Sequence, residues 1–270
     1  MRDYITCVGG DESRGAFLIK GTANILFDTG MAYSADRMIR NIKKELGGRP
    51  LDAVLLSHSH YDHVSGLPFL RREWPELVAY GSERAKEILE KPSARQTMRK
   101  LSEAAAKGAG LERAPEYDDN GLRVDRTVHE GEVLQIGEHT VKVFETPGHT
   151  RCSLSYLVDE DVIFASETVG VTLGGHYMPC YLVGYQMSLE AVRKLRACGA
   201  KRVFFDPYRN FNRREHEGDF RSGRSVPLWP GGGLGLFGRG AFPDEGGDRF
   251  HYPPLPGGGG ADRRHGGAVS

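Results

Sequence analysis

The apolar run Leu51-Asp52-Ala53-Val54-Leu55-Leu56 leads, one residue later, into His58-Ser59-His60-Tyr61-Asp62-His63. A buried strand that empties into such a segment puts three imidazoles and a carboxylate on one turn, and the strand holds that turn rigidly. Imidazole and carboxylate donors suit zinc or iron. The segment therefore points to a site for transition-metal ions, and the rest of the chain is read for elements that could complete it.

Short apolar runs bounded by Gly and Asp at Tyr4–Val8, Ala16–Lys20 and Asn24–Phe27 predict antiparallel strands joined by tight turns. Helical spacing over Ala35–Leu46 ends at Gly47-Gly48, a glycine stop, and Leu51–Leu56 returns as a buried strand. From Ser82 to about Lys107 the pattern is helical, with Ser82 as N-cap and Pro92 dividing two helices, a helical layer or lid. Strands are expected again at Glu132–Ile136, Thr140–Phe144, Ser153–Val158 and Val162–Ala165. Ser188 is then expected to cap a helix through Cys198, before a last strand at Arg202–Phe205.

With 270 residues, 39% of them hydrophobic, the chain can build a substantial core. Lys+Arg and Asp+Glu balance at 36 each, so no overall field gathers nucleic acid or an anionic membrane. A small-molecule substrate is the expected partner, and the sequence carries no signal for an oligomeric state. Cys7, Cys152, Cys180 and Cys198 are scattered without a CxxC pair, which fits a reducing compartment better than a disulfide framework. The first ten residues contain no apolar signal core, and no apolar run approaches the roughly 18 residues of a membrane span. The expectation is a soluble, cytoplasmic protein.

The character of the chain changes after Asp206. Ten lysines precede that residue and none follows it, while residues 207–270 are rich in Arg and in glycine-proline runs such as Pro230-Gly231-Gly232-Gly233. Such a composition buries too little apolar surface to offset its ordering entropy, so a disordered low-complexity tail is expected. A second reading of so abrupt a change is translation in a shifted reading frame.

The run Ser57-His58-Ser59-His60-Tyr61-Asp62-His63-Val64-Ser65-Gly66 resembles the signature of the metallo-β-lactamase-fold hydrolases. Two more of the family's motifs follow in order. Asp28-Thr29-Gly30 is similar to the first, whose aspartate helps organise the metal loop, and Glu145-Thr146-Pro147-Gly148-His149-Thr150 to the third, which supplies a further histidine. The resemblance runs from about Tyr4 to Asp206 and implies an α/β fold, a four-layer αββα sandwich, as one metallo-hydrolase domain over residues 1–206. It also implies that His58, His60 and His149 bind a first metal ion and Asp62 and His63 a second, with zinc the expected ion and iron the alternative. Asp62 would in addition orient the nucleophile or pass a proton to the leaving group.

Two departures bear on the second ion. Where the family has a bridging aspartate, this chain reads Ala165-Ser166-Glu167-Thr168, so Glu167, one methylene longer, is the bridging candidate. The last strand is followed by Asp206-Pro207-Tyr208-Arg209 rather than by a histidine, and His216, His251 and His265 are the later candidates. One ion or two are thus both open. The stretch from His176 to Tyr185 could wall an apolar pocket, with a tyrosine steadying an oxyanion, and His176 is a spare ligand. His129 and His139 read as turn residues.

The implied reaction is hydrolysis of a small-molecule ester, thioester or lactone by metal-activated hydroxide. The alternatives are an iron-dependent redox enzyme of the same fold, or an impaired metal-binding protein lacking the last ligand.

Overall fold

The computed structural model describes residues 4–11, 15–173, 176–205 and 226–227. The expected tail lies outside them apart from Val226–Pro227, as do His216, His251 and His265.

Strands β1 (Ile5–Cys7), β2 (Phe17–Ile19) and β3 (Ile25–Phe27) form the expected antiparallel meander, Ile5 facing Ile19 and Phe17 facing Phe27. Helix α1 (Ala35–Leu46) crosses over, so that β4 (Ala53–Leu55) returns parallel to β3 with Phe27 beside Leu55. After the short α2 (Tyr61–Val64) and α3 (Leu67–Glu73) comes β5 (Val78–Gly81), parallel to β4. Helices α4 (Glu83–Glu90) and α5 (Pro92–Gly108) lead to β6 (Arg126–Thr127), which completes a six-stranded sheet in chain order. β5 and β6 are not among the expected strands; parallel pairing to β4 and to each other defines them.

The second sheet holds β7 (Val133–Ile136), β8 (His139–Glu145), β9 (Leu154–Val158) and β10 (Val162–Phe164), paired antiparallel in that order. A hairpin of β11 (Val171–Leu173) and β12 (His176–Met178) precedes α6 (Tyr185–Ala197). β13 (Arg202–Phe204) then lies parallel to β10, and β14 (Val226–Pro227) closes the edge.

Strand periodicity divides the core into three slabs. Ile19, Ile25, Phe27 and Leu55 face Val143, Tyr156, Val158 and Phe164 between the sheets. Their chain neighbours Leu18, Leu26, Val54 and Leu56 face the other way, onto Met38, Ile42, Leu67 and Leu70 of α1 and α3. Phe144, Leu157, Ile163 and Val203 turn outward from the second sheet onto Leu195 of α6. Helices, sheet, sheet, helix: this is the expected αββα order. Phe27, Phe164 and Phe204 stack through the middle slab at centroid distances of 5.1 Å for both successive pairs, each buried ring contributing about 1.5–3 kcal/mol. Phe27 and Phe164 are the last residues of β3 and β10, so this packing fixes the strand ends from which the site grows.

Local signals behave as their chemistry dictates. Gly47 ends α1 at φ 59°, its N–H bonded to the Lys43 carbonyl. Ser82 caps α4 by accepting from the Ala85 amide, and Pro92 opens α5. Two expectations need correction. Ser188 is no N-cap: α6 starts at Tyr185, and the Ser188 amide is already bonded to the Gly184 carbonyl inside the first turn. His139 is no turn residue: it begins β8 buried, stacks on Tyr4, and its Nδ1 lies 2.9 Å from Asp159 Oδ2.

Candidate metal centre

Four strand ends meet at one edge of the sandwich. Asp28 follows β3, Ser57 and His58 lie just beyond β4, His149 follows β8 after Thr146-Pro147-Gly148, and Glu167 sits in a 3-10 turn, Ser166–Val169, after β10. Asp28 adopts φ 53°, a left-handed conformation that Asp tolerates better than most residues. From there its carboxylate accepts from the Ser57 amide at 2.7 Å, the Ser57 hydroxyl at 2.7 Å and His63 Nδ1 at 2.9 Å. The Thr29 amide and hydroxyl bond the His63 carbonyl at 2.8 and 2.9 Å. Gly66 closes on the same loop: a Cβ there would stand 2.1 Å from the Thr29 carbonyl oxygen. The segment 28–30 is thus a clamp on the segment 57–66.

This clamp fixes ring tautomers. The single Ser57 hydroxyl proton goes to Asp28, so Ser57 Oγ, 2.9 Å from His58 Nδ1, accepts from that nitrogen. The lone pair of His58 is therefore on Nε2, which is buried and has no hydrogen-bond partner. His149 Nδ1 lies 3.1 Å from the Cys180 carbonyl, to which it donates, leaving its lone pair on Nε2. That Nε2 is 3.1 Å from His60 Nδ1, close to the edge of about 3.3 Å for a tetrahedron with metal–nitrogen bonds of about 2.0–2.1 Å. Ligand atoms of His58, His60 and His149 all lie within 4.8 Å of one another.

Ligand atoms of His58, His63 and Glu167 form a second close group, again within 4.8 Å. His63 Nε2 stands 2.8 Å from Glu167 Oε1, and the Ser166 hydroxyl donates to Glu167 Oε2. Asp62 lies at the margin, its Oδ2 3.8 Å from His63 Nε2, outside both close groups.

Residues 10–208 match the sequence model of the metallo-beta-lactamase superfamily. The chain belongs to that superfamily. It is 28% identical over 163 residues to "Probable metallo-hydrolase YqgX" of Bacillus subtilis, covering 60% of this chain and 68% of that protein. To the hydroxyacylglutathione hydrolase of Nitrobacter winogradskyi it is 27% identical over 167 residues, 62% of this chain and 51% of that protein. The chain thus spans about half the length of the latter relative. The archaeal superfamily protein ST1585 from Sulfolobus tokodaii shares the fold, with TM-score 0.58 and 21% identity over 74% of this chain and 77% of that one.

In this superfamily member the surroundings favour the neutral, lone-pair-bearing forms of His58, His60 and His149. Burial pushes His58 well below the ordinary imidazole range, and the neighbouring His63 adds to the effect. Burial likewise lowers His60 and His149. Burial also disfavours the charged forms of His63 and Glu167. Their mutual attraction overrides it, raising His63 well above and holding Glu167 well below their usual ranges, with Asp62 and Asp28 adding to the pull on His63. Asp28, wholly enclosed, is raised by burial despite His63.

Each expected ligand is therefore at this edge, Asp62 the least engaged. His176 is on β12, whose described features are those of its backbone, and His129 is exposed. Three residues that contact the candidate ligands are given no role by the sequence motifs: Ser57 between Asp28 and His58, Ser166 beneath Glu167, and Cys180 behind His149. Ser57 alone had a local signal, its place directly before the histidine motif. No helix among the described residues is long and apolar enough to cross a membrane.

Proposed function

We propose that the chain is a metal-dependent hydrolase of small-molecule esters, thioesters or lactones, with zinc as its resident ion. One observation carries the reading: ligand atoms of His58, His60 and His149 lie within 4.8 Å of one another, His60 Nδ1 stands 3.1 Å from His149 Nε2, and His58 Nε2 is buried with no partner in the protein. A buried imidazole nitrogen without a partner is costly unless a ligand satisfies it, so the donor set fits a divalent cation. His58, His60 and His149 would hold a first ion, and His63, Glu167 and Asp62 a second. A cation in such a site lowers the pKa of bound water from about 16 to near 7 and polarises a carbonyl.

The protein's own groups supply the remainder. Ser57 holds His58 in one tautomer, and Asp28 orients the His63 ring through its Nδ1. Asp62, with a side chain 20% exposed at the margin, is positioned to carry a proton between the site and a leaving group.

A narrow apolar depression, partly open to solvent, lies beside the centre. Thr168, next to Glu167, and Cys180, which contacts His149, line it with Tyr181, Tyr185, Leu189 and Val192, and none of its described lining side chains is charged. Met178 at the end of β12 and Leu182 and Val183 on the loop after it are exposed. Such a surface supports a substrate with an uncharged, apolar portion. The hydrolase unit we assign to residues 1–206, with 207–270 a low-complexity segment that contributes the edge strand β14.

The test is a panel of thioesters, lactones and phosphodiesters assayed beside His60→Ala, on protein purified without added metal and analysed for its elements. Zinc content with hydrolysis at least a hundredfold above His60→Ala is expected for the ester-type substrates. Equal background rates would end the hydrolase reading, and iron in place of zinc would redirect it to redox chemistry.

A further inference from the structure

Cys152 lies behind the three-histidine group, buried at 3% exposure, with free sulfur chemistry that the hydrolase reading does not use. Its Sγ stands 3.3 Å from Ser59 Oγ and 3.2 Å from Thr150 Oγ1. Ser59 is the residue between His58 and His60; Thr150 is the residue after His149. The Cys152 carbonyl also accepts from Ser82 Oγ at 2.9 Å, the same hydroxyl that caps α4. The thiol thus joins the two loops that carry the first group's donors, and its own backbone is anchored to a third segment.

Ser59 and Thr150 are themselves buried, at 5% and 8% exposure. Thr150 Oγ1 also bonds Ser153 Oγ at 2.7 Å and accepts from the Cys152 amide, so Cys152 is held to the His149 loop by sulfur and backbone together, and its sulfur is what reaches the Ser59 hydroxyl. Close by, a backbone bond from the Leu154 amide to the Ser57 carbonyl, 2.7 Å, also ties these segments. That bond fixes the base of the histidine loop, whereas the sulfur reaches the part between His58 and His60. We propose that Cys152 is a positioning residue of the metal centre: through Ser59 and Thr150 it sets the separation of His58 and His60 from His149. It is neither a ligand nor a nucleophile. This inference rests on the metal centre proposed above.

Outer-shell partners of metal ligands typically cost tenfold or more in affinity when removed. The experiment measures cobalt(II) and zinc(II) affinity by chelator competition, the visible spectrum of the cobalt(II) form, and the melting temperature of the metal-free protein. Cys152→Ala is expected to weaken metal binding about tenfold and shift the cobalt bands. Cys152→Ser, which keeps a hydrogen-bonding group, should recover most of that loss.

Ser59→Ala removes the same contact from the other side and serves if Cys152→Ala does not fold. The double variant should bind no more weakly than the poorer single one. A lowered melting temperature with affinity within twofold of the parent and unchanged bands would make Cys152 merely structural and overturn the proposal. A sulfur-to-cobalt charge-transfer band would make it a ligand and overturn it equally. If the parent itself bound no cobalt, the metal centre would fail and the role of Cys152 with it, an outcome distinct from the first two.

Discussion

Replacing Asp28 separates what the clamp does for stability from what it does for the histidines. Asp28→Ala removes the acceptor of three buried donors: the Ser57 amide, the Ser57 hydroxyl and His63 Nδ1. The hydroxyl can turn to Ser166 Oγ, 3.2 Å away, so two donors are left unpaired. At about 1–3 kcal/mol for each buried group left unsatisfied, the loss is about 2–6 kcal/mol. An Ala at φ 53° adds about 1–2 kcal/mol. With a urea dependence of about 2–3 kcal/mol per molar, the unfolding midpoint should fall by about 2 M. Asp28→Asn behaves differently, because Asn fits the same volume, tolerates the left-handed backbone and keeps one oxygen for the Ser57 amide.

The Asn NH2 group, however, is a donor where the carboxylate was an acceptor. Ser57 Oγ then accepts from Asn and turns its proton to His58 Nδ1 or to Ser166 Oγ, and His63 Nδ1, which shared that carboxylate oxygen, is left facing a donor. The first turn moves the His58 proton to Nε2 and takes its lone pair away from the other two donors, and the second displaces the His63 ring. Asp28→Asn should therefore lose only about 1–2 kcal/mol of stability while metal affinity drops about 10–100-fold. Equilibrium urea unfolding of the metal-free protein and chelator competition measure the two effects independently. An Asp28→Asn protein that binds zinc as tightly as the parent, or an Asp28→Ala midpoint lowered by less than about 0.5 M, would refute the assigned tautomer and the clamp respectively.

Two further outcomes follow from the same loops and from the surface. Gly66→Ala should be far costlier than Gly47→Ala, although only Gly47 has positive φ: a Cβ at 66 meets the Thr29 carbonyl oxygen at 2.1 Å, whereas nothing lies within 4 Å of one at 47. A loss of about 3 kcal/mol against about 1 kcal/mol is expected in urea unfolding, and equal losses would show that loop 28–30 yields. Glu138 accepts from the amide and hydroxyl of Thr22, which lowers its carboxyl from 4.5 to about 2. Because the folded value lies below the unfolded one, this tie contributes above about pH 4.5 and is lost as pH falls toward 2. In Thr22→Val the Glu138 carboxyl, followed by NMR titration, should return toward 4.5, and a value still near 2 would mean that other donors hold it.

The sequence by itself determined the pieces whose information is local. Gly47 and Ser82 mark helix ends because the backbone conformation and the cap are decided within one turn. The alternation through Ile25-Leu26-Phe27 assigns each side chain a face because a strand's period is two. His58, His60 and His63 declared a metal-binding turn through their spacing alone. What only the tertiary structure decided is where atoms far apart in sequence meet. Ser188 was misread as a cap because a serine before an apolar stretch looks the same inside a first turn as ahead of it, and the packing of α6 against Gly148 chose Tyr185 as the start. His139 was misread as a turn residue because its partners, Asp159 and Tyr4, come from other strands. The lone pair of His58 depends on one proton passed from Ser57 to Asp28 across 29 residues, and the tie at Cys152 on a sulfur and a hydroxyl 93 residues apart. Hydrogen bonds act over about 3 Å of space and are indifferent to separation along the chain, so the candidate residues were legible in this sequence and their orientation toward one another was not.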